Sequence, residues 1–80
     1  MSGYNSSKQK QELQQNVSNA LKDVKIDGIN KSELINFIVD LILNYKTKSA
    51  INNNINKYLK DGAPTKIVYK AIKPLLKDKT

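Results

Sequence analysis

Among its 80 residues the chain has no cysteine, no histidine and no arginine. Without cysteine there is no disulfide and no thiol chemistry, and with histidine also missing the usual zinc sites cannot be assembled. The commonest general acid–base residue goes with the histidines. The lack of arginine removes the side chain that reads guanine edges bidentately, so any contact with nucleic acid falls on phosphates rather than bases. No apolar run approaches the ~20 residues that a bilayer requires, and the best stretch carries Asp40 near its middle. No membrane role is expected. The opening residues, Met1 to Gln15, are polar, so entry into a secretory pathway is not expected. A domain of this length draws only ~3–5 kcal/mol from its core, so close packing of Leu, Ile and Val, or a partner, must hold it.

Lysine is abundant and unevenly placed. Residues 1–45 carry five Lys against five acids, whereas residues 46–80 carry nine Lys against Asp61 and Asp78, so the whole net charge of +7 lies in the second half. An asymmetric basic half points to a polyanionic partner, although a solvated lysine surface is a common outcome in itself.

The apolar pattern is helical throughout. From Glu33 to Tyr45, Leu34, Phe37, Ile38, Leu41, Ile42 and Tyr45 form one stripe. Ile35, Val39 and Leu43 widen it, leaving Asn36, Asp40 and Asn44 as a narrow polar strip. Asn30 with Glu33 three residues later reads as a capping box, with Ile29 in the staple position, so this central helix starts near Lys31 and runs over about 31–45. It needs neighbours on at least two sides.

Ser6 and Gln9 resemble a capping box ahead of Leu13, Val17, Ala20, Leu21 and Val24, which predicts a first helix from about Ser7 to Val24 after an untethered segment, 1–6. Ile26-Asp27-Gly28-Ile29 is a turn with Gly28 as the breaker. Thr47 or Ser49 can cap a third helix with Ala50, Ile51, Ile55, Tyr58 and Leu59 inward and its asparagines outward. That helix ends at Asp61-Gly62, with Gly62 suited to the left-handed position. Pro64 opens a fourth helix whose inner side is Ile67, Val68, Ala71, Ile72, Leu75 and Leu76, and Pro74 predicts a stop or kink at Lys73 with both leucines still inward.

The outer side of the fourth helix is the candidate site. Lys66, Lys70, Lys73 and Lys77 follow helical spacing, with Tyr69 among them as a platform on which a base could stack. Lys8 and Lys10 add a basic arm. Tyr45 and Tyr58, on apolar stripes, belong to the core or its boundary. An enzyme is not expected: the seven carboxylates make no pair in one pocket, and no glycine-rich phosphate loop exists. Neither cofactor nor metal is expected.

The segments KSELINFIVDLI (31–42), AINNNINKYL (50–59) and APTKIVYKAIKPLL (63–76) resemble the last three main helices of the PWI domain family of pre-mRNA processing proteins. The PWI-like N-terminal domain of nuclear poly(A)-binding zinc-finger proteins is similar in layout. In the family the closing helix often ends in a Trp-Pro-Leu-Leu type sequence, which here reads Lys73-Pro74-Leu75-Leu76. The Pro-Trp-Ile tripeptide would fall on Gln11-Glu12-Leu13, where only the aliphatic position is kept, and the connection from Val24 to Ile29 is longer than usual.

The resulting expectation is an all-α fold, a small PWI-like bundle of four main helices around a buried central helix, with one domain over 7–78. A monomer is expected, and the resemblance implies a nuclear RNA-processing module. It would bind single-stranded RNA or other nucleic acid through a basic surface with weak sequence preference. Some relatives instead bind proteins, which leaves an adaptor within an RNA-processing complex as the alternative.

Overall fold

In the computed structural model the chain is described over residues 2–60 and 62–80, side chains excepted at 2–7, 62 and 63. Four α-helices follow one another: α1 (Ser2–Ala20), α2 (Lys31–Asn44), α3 (Lys48–Leu59) and α4 (Gly62–Ile72), and a 3-10 turn, Lys73–Leu76, closes the series. No strand occurs among the described residues. Each helix packs on the next, α1 most extensively on α2 and α3 on α4, and α4 returns to α1, so the bundle is closed.

The central helix is built as its sequence dictates. Asn30 has extended geometry, and its side chain accepts a 3.1 Å hydrogen bond from the backbone N–H of Glu33, satisfying one of the orphan donors of the first turn. Leu34, Ile38, Val39, Leu41 and Ile42 are buried, the largest share that any helix gives to the core among the described residues. Val17 and Leu21 meet them from the α1 side, Ile51 and Ile55 come from α3, and Val68, Ile72 and Leu76 complete the cluster. Between α2 and α3 the rings of Phe37 and Tyr58 stack with centroids 4.2 Å apart and planes 17° from parallel. Gln14 of α1 donates to Asn36 of α2 at 3.2 Å.

Several expectations need correction. Leu43 is 47% exposed and Tyr45 38%, so the apolar band of α2 is not covered all round. Leu43 lies seven residues after Asn36 and three after Asp40, which places it on the polar line of the wheel. Along α4 and the 3-10 turn after it the apolar pairs divide: Val68, Ile72 and Leu76 are fully buried, Ala71 and Leu75 are half-buried, and Ile67 is 53% exposed. Only one line of that helix enters the core.

The joints also differ from expectation. The backbone of α1 is helical from Ser2, ahead of the start predicted near Ser7. The expected untethered stretch and the Ser6 cap fall on residues that lie, in side chain or entirely, outside those described. At its other end α1 closes at Ala20, short of Val24, because the following bonds tighten to three-residue spacing, Lys22 N–H to Asn19 C=O at 3.4 Å and Val24 N–H to Leu21 C=O at 3.0 Å.

Gly28 takes the positive φ (79°) of the predicted turn, closed by Ile29 N–H to Ile26 C=O at 3.3 Å. The left-handed cap of α3, expected at Gly62, is instead Lys60 (φ 56°, ψ 25°), whose N–H bonds Asn56 C=O at 2.8 Å, and Gly62 is the first residue of α4. One residue separates that cap from α4, and the left-handed conformation of Lys60 carries a steric cost of ~1–2 kcal/mol for a residue with a Cβ.

At Pro74 the outcome matches expectation. The regular helix ends at Ile72 and gives way to the 3-10 turn, with Leu76 fully buried and Leu75 half-buried.

Candidate nucleic-acid interface

The asparagine-rich α3 and the lysine-bearing α4 form one layer. Thr47 caps α3 by accepting from Ala50 N–H at 3.2 Å, and the Asn54 amide donates to Ala50 C=O at 2.8 Å. Not every asparagine of α3 faces outward: Asn53 and Asn56 are exposed, while Asn52 and Asn54 are half-buried. Asn56 accepts a 3.1 Å hydrogen bond from the hydroxyl of Thr65, the one buried polar residue among those described. This contact ties the start of α4 to α3 and sets which face of α4 turns outward.

On that outward face Lys66, Lys70 and Lys73 are exposed, and so is Lys77. Residues 62–77 contain four Lys and no acid. Lys66 and Lys70 stand one turn apart, a spacing at which like charges cost a helix ~0.2–0.5 kcal/mol. Lys73 belongs to the 3-10 turn rather than to α4, so the tighter winding rotates Lys77 by roughly 80° from the line a straight α-helix would give it. The four therefore form a stripe of three with Lys77 to one side. Tyr69 is half-buried and packs against the core, so part of its ring is already covered.

Lys8 and Lys10 are exposed on α1, not on an extended arm. Two residues apart on a helix, they point ~200° from each other and cannot both face α4. Their neighbours Gln9 and Glu12 line a cleft of about 370 Å³ with Leu43, Leu75, Asp78 and Lys79. This brings the middle of α1 beside the last residues of the chain, where Glu12 and Asp78 stand among the lining residues.

No pattern in the sequence marks a role for Lys79 and Thr80. The ammonium of Lys79 donates to Ile42 C=O at 2.7 Å. Thr80 N–H donates to Lys46 C=O at 3.2 Å, and Thr80 C=O accepts from Lys48 N–H at 2.9 Å. A cation at a helix C-terminus is a local signal, but its partner is 37 residues away. Lys79 is thus structural, whereas the ammonium groups of Lys66, Lys70 and Lys73 make no hydrogen bond or ion pair among the described residues.

Among the described residues no group of three or more acids could hold a metal ion, and no helix is long and apolar enough to cross a membrane. Comparison of the chain with protein-family models, with curated proteins and with solved structures finds no match, so the likeness to PWI domains stands on the residues quoted for it.

Proposed function

We propose that this chain is a non-enzymatic nucleic-acid-binding module of RNA processing, with Lys66, Lys70 and Lys73 as its principal contacts and single-stranded RNA as its ligand. The observation that carries this is the stripe of Lys66, Lys70 and Lys73, three exposed cations along α4 and the turn that continues it, in a stretch (62–77) that holds no acid and whose other side is core. A polyanion relieves the repulsion along that stripe and releases condensed counterions. Lysine alone contacts phosphate as a point charge, so binding is nearly blind to sequence. What remains open of the Tyr69 ring offers a stacking edge. Lys77, Lys8 and Lys10 contribute longer-range attraction. The nuclear setting follows from the resemblance to PWI domains and from nothing else.

The test is titration of an unstructured RNA oligonucleotide across a salt series. Replacement of Lys66, Lys70 and Lys73 by Gln is expected to weaken binding and to reduce the slope of log K against log salt by about 2, three phosphate contacts at ~0.7 each. An unchanged slope would reject this surface.

One observation favours the adaptor alternative. Ile67, 53% exposed, stands beside Lys66 on α4, and a protein partner that covered it would add apolar burial to the lysine contacts. Binding through Ile67 would persist at high salt, so the same series separates the two.

A further inference from the structure

The connection between α1 and α2 does more than reverse the chain. Val24, Lys25, Ile26, Ile29, Lys31 and Leu34 line a cleft of about 310 Å³. That volume lies at the lower end of the ~300–1,000 Å³ typical of small-molecule sites, and an apolar lining with a few convergent polar groups is their usual make-up. The lining contains two cations and no anion.

The walls of the cleft are placed by the α1–α2 turn and the start of α2. The turn closed by Ile29 N–H to Ile26 C=O at 3.3 Å, with Gly28 at φ 79°, sets the two isoleucines on its walls. Ile29 precedes the Asn30 cap and Leu34 lies in the first turn of α2, the positions at which a hydrophobic staple fixes the entry of the chain. The ammonium of Lys31 donates to Lys22 C=O at 3.2 Å, which holds this flexible side chain in place and leaves two of its three donors uncommitted.

Other surfaces are less selective. The cleft beside Leu43 mixes Glu12 and Asp78 with Lys79, whose ammonium is already engaged on Ile42.

We infer that the α1–α2 cleft is a binding site for a medium-chain carboxylate, the alkyl chain lying against Val24, Ile26, Ile29 and Leu34 and the carboxylate meeting the ammonium groups of Lys25 and Lys31. Apolar burial supplies the attraction, and the charge-assisted hydrogen bonds fix the direction of the chain. This site is separate from the lysine stripe on α4 and does not depend on its function.

The test is an amide and methyl NMR titration of the whole chain with sodium decanoate below its micellar concentration, alongside acetate and decyltrimethylammonium. Decanoate is expected to give saturable shifts confined to Val24, Ile26, Ile29, Leu34 and their neighbours, with acetate and the ammonium amphiphile much weaker. Lys25→Gln, which leaves the Lys31 contact to Lys22 intact, is expected to weaken decanoate binding about tenfold, the worth of one charge-assisted contact. Equal binding of decanoate and decyltrimethylammonium would overturn the assignment, as would decanoate shifts centred elsewhere or an affinity unchanged in Lys25→Gln.

Discussion

The ammonium of Lys79 lies 2.7 Å from the carbonyl oxygen of Ile42 and donates to it, so the tail of the chain satisfies one of the orphan acceptors at the end of α2. The backbone bonds of Thr80 to Lys46 and Lys48 act beside it, and together they lock the α2–α3 joint. Lys79→Met, which keeps the aliphatic stem but not the donor, is expected to cost ~1 kcal/mol. In a domain of this size that lowers Tm by roughly 4–8 °C, readable in a thermal melt.

Leu41 and Leu43 are two residues apart on α2 and differ in burial, 5% against 47% exposed. Leu41→Ala is expected to cost ~2–5 kcal/mol, comparable with the whole stability of so small a core, and to leave the protein largely unfolded at room temperature. Leu43→Ala stays within about 0.5 kcal/mol of the parent. Denaturant titration of both variants checks the burial pattern, and a cooperative Leu41→Ala melt near the parent value would contradict it.

The stacked rings of Phe37 and Tyr58 join α2 to α3. A double-mutant cycle with Phe37→Leu and Tyr58→Leu is expected to return a coupling of ~0.5–1.5 kcal/mol. A coupling indistinguishable from zero would mean that the rings merely share a surface.

Two left-handed residues predict opposite signs. Gly28→Ala places a Cβ at φ 79° with nothing within 4 Å of it, so its cost is purely conformational and about 1 kcal/mol. Lys60→Gly relieves the φ 56° strain and is expected to raise stability by a few tenths of a kcal/mol, after the greater freedom of glycine in the unfolded chain is subtracted. Paired chemical denaturation curves read both.

Along the basic stripe the 3-10 turn predicts a difference between lysines that look equivalent in sequence. Lys70→Gln is expected to lower the salt slope of RNA binding by about 0.7, one phosphate contact, and Lys77→Gln by clearly less. Equal effects would show that Lys77 shares the line of the other three.

The local features were legible in the chain itself. The Asn30 cap, the Thr47 cap, the Gly28 turn and the end of the regular helix before Pro74 each depend on a few adjacent residues and on backbone sterics, so their chemistry is written next to where it acts. The all-α class followed from 3.6-residue periodicity for the same reason. Even the exposure of Leu43 had a signal, its place on the line of Asn36 and Asp40.

Tertiary structure alone decided the rest. Helical periodicity shows which residues share a face but not how wide a strip the neighbouring helices cover, and so Ile67 stays out while Val68 goes in. The left-handed residue falls at Lys60 rather than Gly62, against the local preference for glycine, with one residue left before α4 begins. The roles of Lys79, of Thr65 with Asn56 and of the cleft that Lys25 and Lys31 help to line arise from contacts between segments distant in the chain or meeting only when it turns. Charge composition could mark the lysines as a class, but only packing separates the one that caps a helix from those left free to meet a ligand.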